Sequence, residues 1–473
     1  MPLLDAADHR PLHFVGIAGA GMSALAELCV RRGAIVTGCD ANPENVADLE
    51  RLGIPVARGH DPDHVIGVRE LVVTSAVPHD HPELQRARST GVRVVRRAEA
   101  LGEAVRGGVV VAVAGTHGKT TTTVMTTDAL TAAGMSPTGV AGGRVAQWEG
   151  NMRFGGTAHF VVEADEYDRS FLALTPSIAV VTNIEADHLD IYRDLEDIRD
   201  AFAQFVRPAR VIAVCADDPG ANTLPLPPSA EVFRYGVTSP DARLVGAGLR
   251  TNASGASTFD VVYDGEELGT LRLRVPGAHN VRNALAATAA SLALGATLEA
   301  IAPGLEAFGG VERRFQRMGD AQGVTVIDDY AHHPTEIRAT LEAARAAFPK
   351  RRVVAAFQPH LYTRTRDFAT GFGDALAGAD TLFLADIYAA RERPIPGVTS
   401  DLIARAAAAA GRPTAWRGPR AELAAALARD VRDGDIVLTL GAGDITKTGP
   451  ELLELLRAPG NSGRANGARR ERV

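Results

Sequence analysis

Lysine is nearly absent from this 473-residue chain. Lys119, Lys350 and Lys447 are the only three, and arginine supplies the rest of the 50 basic residues. Cysteine is equally scarce. Cys29, Cys39 and Cys215 are widely separated, odd in number and form no CxxC, which argues against a disulfide framework or a zinc site. No apolar run approaches the roughly 20 residues needed to span a bilayer. The N-terminus "MPLLDAADHRPLHFVG" has no basic region leading into an apolar one, so no signal peptide is expected. Positive charge is not in excess either. A formal net charge of -7 speaks against a nucleic-acid or anionic-membrane binder. The rest is ordinary globular composition, 46% hydrophobic and 23% charged, on a chain too long for one core. The expectation is a cytoplasmic protein of several domains, with no nucleic-acid, membrane or protein partner implied.

The chain repeats one grammar, an apolar strand followed by a polar loop and a helical pattern. "LHFVGI" leads into Gly-rich "AGAGMSALAELCVRRG", then "AIVTGCD", "ELVVTSAVP" and "VRVVRRAE". Strand, helix, strand at this spacing predicts a parallel sheet with crossover helices. Arg106-Gly107-Gly108 punctuates the chain. A second α/β region starts with "VVVAVAG" and contains "HFVVEADE" and "SIAVVTNIEADHLD". It continues with two alternating strands turning at Asp264-Gly265 and an Ala-rich helix ended by Gly295. A third opens near Gly319 and contains "GVTVIDDYAHHP", "RVVAAFQPH", "TLFLADIYAA" and "DIVLTLGAGD". The expected segments are 1–106, 107–318 and 319–457. The Gly- and Arg-rich tail, 458–473, has no apolar face and reads as disordered.

The scarcity of lysine makes Lys119 conspicuous. It lies in "VAVAGTHGKTTTT", where an apolar strand enters a Gly-Thr loop and a helix follows. Such a turn points backbone N–H groups at one spot, and the helix N-terminus adds partial positive charge there. Phosphate is the natural guest. A compact ammonium on a flexible stem can follow β- and γ-phosphates, and the Thr120 hydroxyl can be offered to Mg²⁺. The loop Gly115-Thr116-His117-Gly118-Lys119-Thr120 is shorter than the usual G-x-x-x-x-G-K-[ST]. Two acidic strand ends follow it. "VVEADEYDRSF" supplies Glu163, Asp165 and Glu166, and "VVTNIEADHLD" supplies Asn183, Glu185, Asp187 and His188. A magnesium nucleotide site needs such ligands. An earlier loop, Gly19-x-Gly21-x-x-Ala24 with Asp40 ending the next strand, fits a dinucleotide fingerprint, but the same geometry binds any diphosphate.

With both loops in view, the chain resembles the Mur ligase family. The residues that carry the resemblance are "HFVGIAGAGMSALAE", "GTHGKTTTT", "VVEADEYDRSF", "TNIEADHLD", "GAHNVRNALAA", "GVERRFQ", "DDYAHHPTEI", "FQPHLYTRTRDF" and "LGAGDI". They stand in family order and reach about residue 447. The ATP loop alone is shared with folylpolyglutamate synthetases, whereas "GAGMS" with "DDYAHHPTEI" points to the branch that adds L-alanine. The resemblance implies three α/β domains: a Rossmann-like UDP-binding domain, a central P-loop ATPase-type domain and a C-terminal Rossmann-like domain. It implies ATP, UDP-N-acetylmuramate and L-alanine as reactants, an acyl-phosphate intermediate, and Mg²⁺, with two ions.

Roles follow from the same resemblance. Lys119, Glu163, His188 and Arg314 are expected to be catalytic. Thr120, Glu163 and His188 would hold Mg²⁺. ATP would meet Gly115, Thr116, His117, Gly118, Lys119, Thr120 and Thr121, with Asn280 and Asn283 at the nucleotide and Arg314 and Asp329 near phosphates and ribose. The UDP part would meet Gly19, Ala20, Gly21, Met22, Ser23, Asp40 and Ser75. His333, His360 and Arg364 would serve the remaining substrate groups, Arg364 by holding a carboxylate bidentately. Two positions depart from the family pattern: Ala18, where many members carry Gly, and Leu361, where Arg is frequent. The alternatives are a ligase recycling murein tripeptide onto the same UDP-sugar, an NAD-dependent oxidoreductase, and a silent UDP-sugar sensor.

Overall fold

The computed structural model describes residues 3–5, 7–43, 46–74, 76–252, 255–390 and 392–458. Ser75 and all of the tail after Ala458 lie outside them. The chain forms two compact units, residues 1–249, 258–273 and 280–311, and residues 250–257, 274–279 and 312–473.

The first unit holds two sheets. One has five strands in the order Val56–Arg58, Val36–Asp40, Leu12–Val15, Glu70–Val73, Arg93–Arg96, and every pair is parallel. The strand earliest in sequence is therefore central. The chain builds outward from it first one way and then the other, so the loop after Val15 opens at the switch point where such sheets bind ligands.

The other sheet has ten strands. Its strand Val109–Ala114 lies between Ile178–Val181 and His159–Glu163, parallel to both. Such a strand is covered on both faces, which is why it reads as an unbroken apolar run. At one edge, Ser257–Tyr263 and Glu266–Leu273 are joined by Asp264 (φ 52°) and Gly265 (φ 84°), the signs a type I′ hairpin turn requires.

The helix after the central strand, Lys119–Ala132, is rich in threonine, a poor helix former. Burial along nearly its whole length stabilises it instead, and the Thr126 and Thr127 hydroxyls donate to carbonyls one turn back, at 2.7 and 2.8 Å. The helix Leu298–Ala307 packs on it at Gly304, where a Cβ would run into the Asp128 carbonyl.

The second unit has one six-stranded sheet in the order Gln316–Ala321, Val324–Asp329, Ile436–Leu440, Val353–Phe357, Thr381–Ala385, Thr414–Gly418. The first pair is antiparallel and the rest parallel. Its first strand runs through residues 318 and 319, with a bulge at that point. Separate apolar cores cover its two faces, one around Phe357 and Phe372, the other around Phe383 and Leu427. Among the described residues no helix is long and apolar enough to cross a membrane. All three cysteines are free and buried.

Candidate functional site

Strand order brings the chemistry of the first unit to one place. The ends of three adjacent parallel strands carry, side by side, the Gly115–Lys119 loop, Glu163 and the segment from Thr182 to His188. The loop needs its glycines. Gly115 has φ 143° and Gly118 φ 80°. A Cβ on Gly115 would collide with Thr182 Oγ1, and one on Gly118 would lie 2.6 Å from Asn283 Oδ1. The neighbouring strand end then fastens the loop. His117 N donates to Asn183 Oδ1 at 2.7 Å, Thr182 Oγ1 and Asn183 Nδ2 donate to His117 O at 2.6 and 3.1 Å, and Glu185 N donates to Thr116 Oγ1 at 2.9 Å. His117 Nε2 lies 3.1 Å from Glu185 Oε2.

Lys119 Nζ donates to Gly115 O at 2.7 Å, to Thr116 O at 3.3 Å and to both oxygens of Glu166 at 2.7 and 3.0 Å. Thr120 Oγ1 donates to Glu163 Oε1 at 3.0 Å, and Gly142 N donates to Glu163 Oε2 at 2.5 Å. His188, held at φ 53°, places Nε2 3.5 Å from Glu166 Oε1. Thr121 is buried on the same helix turn. Thr122 Oγ1 donates to Asn283 Oδ1 at 3.2 Å, and Asn283 Nδ2 to Asn280 Oδ1 at 3.3 Å, so both asparagines of "HNVRN" sit behind the loop.

The charges are tuned by burial and by one another. Burial acts against the Lys119 ammonium, but Glu166, with Asp165 and Glu163, outweighs it and Lys119 holds its proton more firmly than usual. Burial raises the Glu163 carboxyl above the ordinary range, although Lys119, Gly142 N and the Thr120 hydroxyl pull it down. Glu166 suffers the same burial, yet Lys119 and His188 bring it below the ordinary range. A half-buried, raised carboxylate beside a hydroxyl is an oxygen donor set suited to a hard dication such as Mg²⁺. Glu166, which the sequence offered only as one of several oxygen ligands for Mg²⁺, is here the counter-ion of Lys119. Its signal was available: a largely enclosed lysine needs a counter-ion, and "EADE" offers one three residues past Glu163.

In the five-stranded sheet, Gly19 precedes the helix Ala20–Arg31 as its N-cap. The N–H groups of Ala20 and Gly21 belong to its first turn, where no intrahelical acceptor exists. Met22 buries its side chain in the core, so only its main chain is available to a ligand. Ser23 Oγ donates to Ala20 O at 3.0 Å. Asp40 shapes the loop directly. Its Oδ2 accepts from Ala18 N at 3.0 Å and its Oδ1 from Asn42 N at 2.9 Å. Ala18 does not adopt a positive φ, so the methyl group where many members have glycine costs no backbone strain.

In the second unit, Asp329 ends its strand buried. Its Oδ2 accepts from Phe315 N and its Oδ1 from Ala331 N, each at 2.8 Å. Burial pushes this carboxyl up to about 6, against the pull of Arg314. Arg314 lies 3.3 Å from Glu336 and 5.3 Å from the Tyr330 ring centroid. Glu336 also accepts from His332 N at 2.9 Å. His333 caps the helix Pro334–Ala347, its Nδ1 accepting from Thr335 N at 3.3 Å. The His360 ring stacks on Tyr388 at 5.8 Å. Leu361, at φ 71°, turns the chain into the helix Tyr362–Leu376, which carries the buried Arg364.

Three family models match consecutive parts of the chain: "Mur ligase family, catalytic domain" over residues 11–108, "Mur ligase middle domain" over 113–291, and "Mur ligase, glutamate ligase domain" over 313–443. A curated protein of Salinibacter ruber named UDP-N-acetylmuramate–L-alanine ligase is 44% identical over 459 residues, 96% of each chain. The crystal structure of the UDP-N-acetylmuramate–alanine ligase of Thermotoga maritima is similar, with a TM-score of 0.79 and 31% identity over 94% of this chain and 98% of that one. A murein peptide ligase of Psychrobacter arcticus gives 0.69 and 25% over the same shares.

Proposed function

This chain belongs to the Mur ligase family, and we propose that it performs the family's first amino-acid addition, the ATP-dependent joining of L-alanine to the carboxylate of UDP-N-acetylmuramate in peptidoglycan synthesis. The observation that carries this reading is the 44% identity to a ligase of that name across 96% of both chains. The murein peptide ligase is the less similar of the two structures.

The reaction asks for two displacements. A carboxylate oxygen of UDP-N-acetylmuramate attacks the γ-phosphorus of ATP, and ADP leaves with the electron pair of the broken P–O bond. The neutral amine of L-alanine then attacks the acyl carbon, phosphate leaves, and the amine nitrogen loses a proton as the amide forms. The first step brings two anions together, so its barrier is chiefly electrostatic. The Gly115–Lys119 loop presents main-chain N–H groups to the phosphates, and Lys119 turns its ammonium from Glu166 toward them. Thr120, Glu163 and His188 would hold Mg²⁺, which when bound supplies further neutralisation of phosphate charge. Asn280 and Asn283 position the nucleotide. The turn from Gly19 to Ser23, shaped by Asp40, receives the diphosphate of the UDP-sugar. In the second unit, Arg314 and Asp329 serve the nucleotide, and His333, His360 and Arg364 the amino acid, with Arg364 pairing with its carboxylate. The use of ATP places the reaction in the cytoplasm.

Phosphate release from Mg-ATP and UDP-N-acetylmuramate tests this. Release should depend on L-alanine. Release with murein tripeptide but not L-alanine would assign the recycling reaction instead, and release with neither would remove the ligase reading.

A further inference from the structure

The five-stranded sheet carries a second cluster of reactive side chains that the ligase chemistry does not use. His13 lies on the central strand and Cys39 on the next, one residue before Asp40. His64 comes from the short turn Pro62–Val65, and Glu83 from the first turn of the helix Pro82–Thr90. One ligand atom from each of these four lies within 4.8 Å of every other. Several are already closer. Glu83 Oε1 is 2.7 Å from His64 Nδ1 and 3.2 Å from Cys39 Sγ. Glu83 is fully buried, and His13 and Cys39 are 3% and 0% exposed.

A buried glutamate beside one histidine is an ordinary ion pair, and that alone needs no further explanation. Two facts go beyond it. His13 Nδ1 meets Thr37 Oγ1 at 2.9 Å while its Nε2 is buried with no hydrogen-bond partner among the described residues. Both ring nitrogens of the buried His81, which packs 4.6 Å from the His60 ring, also lack a hydrogen-bond partner among the described residues, although Nδ1 lies 4.0 Å from Glu83 Oε2. Orphaned buried nitrogens are costly unless something fills the gap. A ligating histidine has this pattern: one ring nitrogen oriented by a hydrogen bond, the other aimed at the ion.

We propose that His13, Cys39, His64 and Glu83 form a binding site for a transition-metal dication of zinc-like softness. Two imidazoles, a thiolate and a carboxylate are a tetrahedral zinc donor set, and the mixture of nitrogen and sulfur excludes Mg²⁺ and Ca²⁺ as its natural occupants. Binding ligates the Cys39 sulfur as thiolate and releases the thiol proton to solvent. The bound ion ties the Pro62–Val65 turn and the helix Pro82–Thr90 to the two strands whose ends carry the Gly19 loop and Asp40. The site is therefore a structural clamp beneath the UDP-sugar loop. It lay hidden from the cysteine spacing because its four ligands come from four separate segments, with a single cysteine among them.

Cobalt is the probe. The full chain, stripped with chelator and titrated with Co²⁺ in the absence of nucleotide, should bind one equivalent with a thiolate-to-cobalt charge-transfer absorption. That absorption should vanish in Cys39→Ser and persist in Cys29→Ser and Cys215→Ser. The ATP loop, which offers no thiol, cannot produce it. X-ray absorption at the zinc edge of the unmodified chain loaded with one equivalent gives an answer independent of how the variants fold. One sulfur among four ligands is expected. Absence of the charge-transfer band, its survival in Cys39→Ser, or a shell of nitrogen and oxygen alone would each overturn the assignment.

Discussion

Removing the Lys119 ammonium separates what it does for folding from what it does for turnover. In Lys119→Met the partner Glu166, 3% exposed, loses the cation that holds it at 2.7 and 3.0 Å. An unpaired buried carboxylate is expensive, and breaking such a pair typically costs 3–5 kcal/mol. Here the cost has a ceiling, because Glu166 can take a proton from solvent. Protonating a carboxyl of ordinary pKa near 4.3 at pH 7 costs about 3.7 kcal/mol at ~1.36 kcal/mol per unit. At pH 5 the ceiling falls to about 1 kcal/mol. His188 Nε2, 3.5 Å away, reduces the loss further when protonated. In the unmodified chain Glu166 is held below its ordinary value, so it contributes stability above that value and loses it as pH falls through the folded-state value. In Lys119→Met the folded-state value is raised, so stability is kept at low pH and lost as pH rises through it. The gap between the two proteins should therefore open from about 1 kcal/mol at pH 5 toward about 2–3.5 kcal/mol at pH 7, read by urea unfolding. Adding Glu166→Gln should close most of the gap at pH 7. Turnover should behave differently. Phosphate release should fall by roughly 10²–10³, the scale for losing one preorganised donor, and Glu166→Gln should not restore it. A variant as stable as the parent at pH 7, or a double variant that regains turnover, would refute the argument.

Two further substitutions probe the scaffold around the loop. Burial pushes the Asp128 carboxyl up to about 6, although Trp148 Nε1 at 3.2 Å and Gln147 donate to it. A carboxyl raised on folding loses stability as pH climbs from its unfolded value through its folded-state value, so Asp128→Asn should be more stable than the parent by about 1–3 kcal/mol at pH 7.5, and that margin should shrink to roughly a third at pH 4.5. Parallel thermal-denaturation profiles at the two pH values would count against this. Gly115→Ala places a Cβ against Thr182 Oγ1 at a φ of 143°, so the KM for ATP should rise at least about tenfold while UDP-N-acetylmuramate affinity is kept. A KM within twofold of the parent would show that the loop does not need the glycine.

Much of this fold was legible because its signals are local. Strand, glycine turn and helix follow each other within some fifteen residues at both the Gly19 and the Gly115 loops. The Asp264-Gly265 turn and the apolar run Val109–Ala114 announce themselves in the same way. What was not legible is what strand order decides. Glu163 and Asn183 flank the phosphate loop because their strands pair on either side of Val109–Ala114, and nothing near either residue states that pairing. Gly319 looked like a break but lies inside a strand, at a bulge, because a single glycine interrupts a pattern without ending a ladder. Glu336 was passed over, and Glu166 was read only as a possible oxygen ligand, for a related reason. Each supports a better-known neighbour, Lys119 or Arg314, and a supporting residue has no motif of its own. The cluster around Glu83 extends this logic furthest. Cysteine spacing detects a metal site only when two ligands share one loop. When a parallel sheet stacks His13 and Cys39 on neighbouring strands and a turn and a helix supply His64 and Glu83, the spacing runs to tens of residues. The chemistry then exists only in the folded chain.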